Sequence, residues 1–157
     1  MEYKVLVDAD ACPVINQTIK ICQKYKVPCL LVCDDSHFMQ KDGAETITVS
    51  KGADSVDFAL VNRVKSGDIV ITQDYGLAAM SLSKGATVLH QDGFEYDSSN
   101  IEGLLMQRHI NAKIRRNSGR TKGPKKRSAE QDNAFLNSLE TIVKEKSAKE
   151  GVSWDIN

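Results

Sequence analysis

The chain has 157 residues, with 41% hydrophobic and 27% charged positions, enough for one domain that buries roughly 70% of its unfolded surface. It carries 21 Lys/Arg against 21 Asp/Glu, a formal net charge of zero. No apolar run approaches the ~20 residues that a membrane-spanning helix needs, so disordered, fibrous and membrane-spanning classes are set aside.

The neutral total conceals a division. Residues 1–100 hold 9 Lys/Arg against 14 Asp/Glu, and residues 101–157 hold 12 against 7. Nine of those cations (Arg108, Lys113, Arg115, Arg116, Arg120, Lys122, Lys125, Lys126 and Arg127) fall in residues 108–127, which contain no acid. An acidic body with a basic appendage is the expected layout. The segment after Met1 runs into a strand-like stretch with no basic n-region or small-residue cleavage site, so the expected compartment is cytoplasmic, with no membrane partner.

In chain order, YKVLV reads as a buried strand and VINQTIKICQKY as a helix entered through Pro13, whose missing N–H costs nothing at a first turn. PCLLVC is a second strand, and CDDSHFMQKDGA a polar connection with a turn or two of helix. ETITV, DIVIT and ATVLH are further strands, all short, β-branched and bounded by turn signals. DSVDFALVNRVK and YGLAAMSLSKG are the intervening helices, the latter closed by Gly85. Two longer helices come next, with capping boxes Ser99 to Glu102 and Ser128 to Gln131. The second presents Phe135, Leu139, Ile142 and Val143 at helical spacing.

Alternating strands and helices predict a three-layer α/β/α fold with a mostly parallel sheet of about five strands, order 3-2-1-4-5, and two C-terminal helices. The expected organisation is a single unit over residues 1–157: an α/β core over 1–97, then helices over 98–157 carrying the basic loop 108–127. In such sheets ligands sit beyond the carboxyl ends of the strands where the strand order reverses, here between the first and fourth strands.

Asp8 and Asp10 come directly after the first strand, and Thr72, Gln73 and Asp74 end the fourth. Neighbouring strands lie ~4.8 Å apart, so these side chains converge. Asp54 and Asp57, three apart, open the helix that leads to the fourth strand. Taken singly, Asp54 and Asp74 serve equally well as helix N-caps, and Asp57 as a first-turn acid. Together they pose a different problem. Two carboxylates ~5 Å apart repel by roughly 3 kcal/mol at an effective dielectric of ~20, so several demand protons or a cation. Ligands that offer oxygen alone point to Mg²⁺ or Mn²⁺.

VDADACPV, GADSVDFALV, GDIVITQDYGLA and GRTKGPKKR together resemble the uncharacterised bacterial YaiI/YqxD family, itself similar in pattern to the PIN-like (PIN and NYN) nucleases. The resemblance runs from residue 3 to about residue 127. Asp8-Ala9-Asp10 stands where PIN domains carry a D-T-N-like triplet, Asp57-Phe58-Ala59-Leu60 where they carry D-x-x-I, and Thr72-Gln73-Asp74 where they carry T-x-D. It implies a Mg²⁺ or Mn²⁺ ion held by Asp8, Asp57 and Asp74, helped by Asp10 and Asp54, with Thr72 orienting a carboxylate or water during hydrolysis of RNA. The acid that PIN domains place in an earlier helix has no clear counterpart here, and Asp54 is taken to compensate.

The basic run supplies the complementary half. GRTKGP lets backbone amides approach an anion while Arg120, Thr121 and Lys122 donate; Arg115, Arg116, Lys125 and Lys126 add charge. The expected partner is RNA or single-stranded nucleic acid, read with little sequence preference because no aromatic lies between Arg108 and Arg127. Three rival readings remain. One is a non-catalytic RNA- or protein-binding module with a structural metal. The second is a haloacid-dehalogenase-type phosphohydrolase with Asp8 as nucleophile, which Pro13 disfavours by leaving no room for a flap. The third is a thiol enzyme using Cys12 at a helix N-terminus. The four cysteines lie within the first 33 residues without zinc-site spacing and read as buried, reduced thiols.

Overall fold

The computed structural model describes residues 2–50, 52, 55–118 and 126–149. Strand β1 (Val5–Asp8) leads to helix α1 (Ile15–Tyr25), β2 (Cys29–Asp34), a 3-10 turn (Asp35–His37) and β3 (Glu45–Val49). Then come α2 (Ser55–Arg63), β4 (Ile69–Ile71), α3 (Tyr75–Ser83), β5 (Thr87–Leu89), β6 (Glu95–Tyr96), α4 (Ile101–Ser118) and α5 (Ala129–Lys149). One sheet has the order β3-β2-β1-β4-β5-β6. The first five strands are parallel, as the alternation of elements predicts. The sixth pairs antiparallel with β5 through Val88↔Tyr96 and Leu89↔Glu95. A two-residue strand carries no period, which is why the sequence pattern missed it.

The central strands are buried on both faces: Val5, Leu6 and Val7 are each 0% exposed. Period-two alternation then divides the core. Val5, Val7, Leu31, Ile69 and Ile71 pack with residues of α1 and with Phe135, Leu139 and Val143 of α5. Leu6, Leu30, Val32, Val70 and Val88 pack on the opposite face with Leu60 of α2, Leu77 and Ala78 of α3 and Ile101 of α4. Each such side chain contributes ~1.5–3 kcal/mol on leaving water. This is the α/β/α layering that the PIN-like resemblance implies.

The β1–β4 register positions the site. Asp68, 2% exposed, accepts from the Lys4 and Lys65 backbone amides at 3.1 and 2.8 Å and pairs with Lys4 Nζ at 2.7 Å. That clamp fixes Val5↔Ile69 and Val7↔Ile71, so Asp8 and Thr72 emerge side by side at the far end.

The expected caps fare unequally. The Ser128–Gln131 box forms reciprocally, with Gln131 Oε1 accepting from Ser128 N at 2.8 Å and Ser128 Oγ from Gln131 N at 3.3 Å. At α4 the expected Ser99–Glu102 box gives way to Asp97, whose Oδ1 accepts from the Ser99 and Asn100 amides at 2.9 Å each. An Asx cap two residues earlier satisfies the same orphan donors. Gly85 stands just past the α3 C-cap with φ +89°, as its place after the helix predicts. Among the described residues no helix is long and apolar enough to cross a membrane.

Candidate functional site

A cleft of about 580 Å³ opens at the carboxyl ends of the strands. Asp8 and Asp10 line it from the end of β1, Asp34 from β2, Ser55 and Asp57 from α2, and Gln73, Asp74 and Tyr75 from the β4–α3 junction. Four sequence-predicted acids, Asp8, Asp10, Asp57 and Asp74, therefore share one opening. Asp54 lies outside the described residues, as do Arg120, Thr121, Lys122 and Lys125.

Thr72 is the hinge of the first half of the site. Its hydroxyl donates to Asp8 Oδ2 at 2.9 Å and accepts from the Asp74 amide at 3.0 Å. The buried Tyr96 hydroxyl donates to the Thr72 carbonyl at 3.2 Å and holds that turn in place. Asp74 also performs its simpler role: its Oδ1 accepts from Leu77 N at 3.0 Å as the α3 N-cap. Burial, with the charges of Asp57, Asp74 and Asp10, pushes the Asp8 carboxyl up from 3.8 to about 6, despite the opposing Thr72 hydrogen bond. The first cause is loss of hydration, which penalises the charged form, and the neighbouring carboxylates add to it.

The second half was not anticipated. Asp34 ends β2 as Asp8 ends β1, and its backbone amide donates to Asp10 Oδ2 at 3.3 Å. Asp34 Oδ1 accepts from the Ser36 hydroxyl at 2.6 Å and the Ser36 amide at 2.9 Å, and lies 2.9 Å from His37 Nδ1. The Ser36 hydroxyl foremost, then His37, holds the Asp34 carboxyl down at about 2. Asp10 is shifted upward by burial and by the neighbouring Asp34 charge. Between Asp10 and Cys12, Ala11 takes a left-handed φ of +58° and turns the chain toward α1.

Among the described residues, one group of three His, Cys, Asp or Glu side chains brings its ligand atoms within 4.8 Å of one another: Asp10, Asp34 and His37. Asp8, Asp57 and Asp74 line the cleft without converging to that degree. An imidazole stands beside Asp10 and Asp34, and Asp34 adds to the cleft, from a strand end, a carboxylate that the sequence reading did not count. The signal was present, because a strand next to β1 that also ends in Asp delivers a carboxylate to the same crevice.

The family model described as "Uncharacterized BCR, YaiI/YqxD family" matches residues 6–145, spanning the acidic cleft and the basic segment. The chain belongs to the YaiI/YqxD family. Similar relatives are UPF0178 proteins: from Exiguobacterium sibiricum, 47% identical over 144 residues, covering 92% of this chain and 99% of the relative; and from Ruminiclostridium cellulolyticum, 49% identical over 144 residues, covering 92% and 94%. A third, from Natranaerobius thermophilus, is 50% identical over 141 residues, covering 89% and 95%.

In this family member the lining fits a divalent cation. Its donors are carboxylate oxygens, one of which, Asp10 Oδ1, is buried without a hydrogen-bond partner. Burial first, then the charges of Asp57, Asp74 and Asp10, disfavour the Asp8 carboxylate, and a cation offsets both. Arg115 and Arg116 are exposed on the last turn of α4, where cations also complement the helix dipole, and Lys126 is exposed ahead of α5. Arg127 leaves the basic group: it pairs with Asp92 at 2.8 Å and Asp132 at 2.6 Å and donates to the Gln91 carbonyl. Cys12 is no activated thiol, because burial pushes it up to about 11. The other cysteines are free and buried.

Proposed function

We propose that this chain is a Mg²⁺- or Mn²⁺-dependent phosphodiesterase of PIN-like type that cleaves RNA or single-stranded nucleic acid. The observation that carries this reading is Asp8, a half-buried carboxyl pushed to about 6 in a cleft shared with Asp10, Asp57 and Asp74. In the proposal Asp8, Asp57 and Asp74 hold the cation, with Asp10 and Asp54 assisting. When bound, it neutralises the cleft, polarises a phosphate oxygen and makes water a better nucleophile. Water adds to phosphorus, one P–O ester bond breaks, and the leaving oxygen takes up a proton.

The chain's own residues supply orientation. Thr72 fixes the Asp8 carboxylate through Oδ2 and the Asp74 backbone through its amide. Arg115, Arg116 and Lys126, with Arg120, Thr121, Lys122 and Lys125, hold the polyanion by phosphate contacts that offset the repulsion of the acidic body. The short path from Asp8 to α1 at Ile15 leaves no flap, which weighs against the dehalogenase-type reading.

The test is Mn²⁺-dependent cleavage of a labelled RNA panel by wild type, Asp8→Asn and Asp74→Asn. Asparagine retains the α3 cap while removing the charge, so Asp74→Asn tests chemistry rather than folding. Lost turnover with retained RNA binding in both variants supports the enzyme. Identical traces from all three proteins refute it, and lost binding with Asp8→Asn favours a metal-ordered binding module.

A further inference from the structure

We propose that Asp10, Asp34 and His37 form a second metal site, one that prefers a late first-row ion such as Ni²⁺ or Zn²⁺ over Mg²⁺. The three residues come from adjoining structure: Asp10 lies two residues beyond β1, Asp34 ends β2, and His37 closes the 3-10 turn that Asp34 caps. His37 Nδ1 is 2.9 Å from Asp34 Oδ1 and 3.6 Å from Asp10 Oδ1. Donors held ~2.1 Å from a common ion stand ~3.0 Å apart in octahedral and ~3.4 Å apart in tetrahedral coordination. The observed separations are close to those of ligands gathered round one ion.

A second observation points the same way. Asp10 Oδ2 is satisfied by the Asp34 amide, but Asp10 Oδ1 is buried and makes no hydrogen bond. An acceptor withdrawn from water without a donor costs about 1–3 kcal/mol. At 3.6 Å the imidazole nitrogen is too distant to repair that as a hydrogen bond, yet well placed to share an ion with it.

The chemistry of the donors sets the preference. Imidazole suits Zn²⁺ and Ni²⁺, whereas Mg²⁺ takes oxygen ligands and retains water. Three protein donors leave coordination positions free, and Asp10 and Asp34 both line the cleft that holds Asp8. A bound ion requires the Nδ1 lone pair, with the ring proton on Nε2. Only the site's part in hydrolysis rests on the proposed phosphodiesterase reading; its capacity to bind an ion does not.

The experiment measures binding and not turnover. The full chain, stripped with chelator, is titrated with Ni²⁺ in excess Mg²⁺, alongside His37→Ala, Asp34→Asn and His109→Ala. The chain has three histidines, and His37 and His109 are exposed, so removing either leaves the core intact. Asp34→Asn provides a second route should His37→Ala perturb the turn, and circular dichroism checks that each variant is folded. The expected result is one Ni²⁺ bound by wild type, weakened tenfold or more by His37→Ala and Asp34→Asn and less than twofold by His109→Ala. Wild-type affinity in folded His37→Ala, or no Ni²⁺ bound by wild type in excess Mg²⁺, overturns the proposal. RNA cleavage enters none of these readouts, so a protein without nuclease activity still gives a clear answer.

Discussion

Replacing Asp8 by Asn should make the metal-free protein more stable at neutral pH, the reverse of the usual effect of altering a half-buried, hydrogen-bonded residue. Raising the Asp8 carboxyl from 3.8 to about 6 means that its ionisation is disfavoured by roughly 3 kcal/mol in the folded state. The sign comes from proton counts. Between pH ~4 and ~6 the folded protein holds a proton that the unfolded chain has released, so stability falls as pH rises through that window and stays low above it. Asparagine carries no charge to penalise and can still accept from Thr72 Oγ1, though that bond is weaker without the negative charge, by about 1 kcal/mol. The net expected gain is about 2 kcal/mol at pH 7.5, or about 4–8 °C in Tm for a chain of this size. Below pH 4 the two proteins should converge.

Urea denaturation monitored by far-UV circular dichroism, in chelator, at pH 3.5, 5 and 7.5 makes the measurement. Adding Mn²⁺ should invert the order. Wild type gains about 2.7 kcal/mol at a free ion concentration of 100 Kd, and Asp8→Asn gains less because a ligand charge is gone. If Asp8→Asn is less stable than wild type at pH 7.5 in chelator, with a difference that ignores pH, the Asp8 carboxylate is not penalised by burial and its neighbours as argued. The electrostatic case for a cation then fails.

Arg127→Ala should lower stability by about 1–3 kcal/mol, since it unties the turn after β5 from the start of α5; Lys126→Ala should change it by less than ~0.5 kcal/mol. Urea titration of both proteins separates the tie from the merely charged neighbour. Binding of a single-stranded RNA should weaken with salt: if about five phosphates are engaged, log K against log salt should have a slope near −3.5 in a fluorescence-anisotropy titration. A flat line would remove the basic segment from the interface.

The strand order was legible because YKVLV and DIVIT are short, β-branched and separated by helical periods, and right-handed crossovers leave few ways to arrange them. Asp8, Asp10 and Asp74 were legible for a related reason, because strands that lie side by side bring the residues at their carboxyl ends into one crevice, and Asp57 joins them from the first turn of α2. His37 escaped because its proximity to Asp10 depends on how a polar turn folds back, and a turn has no hydrophobic period to betray its path. Asp34, at the end of the strand beside β1, was readable by the strand-end rule and was passed over. Arg127 was grouped with its basic neighbours because charge counts do not show which cations find partners. Its engagement depends on Asp92 and Asp132, one of which lies 35 residues away in sequence. Ser99 misled for a smaller reason, since Asp97 offers the same backbone a better acceptor.

Ala11 has a consequence of its own. At φ +58° a methyl group sits where only glycine is comfortable, at a cost of about 1 kcal/mol. A glycine would relax that corner, but the hinge would then be loose immediately beside the Asp10 carboxylate. The methyl stiffens the bend, trading a little thermodynamic ease for accuracy of aim.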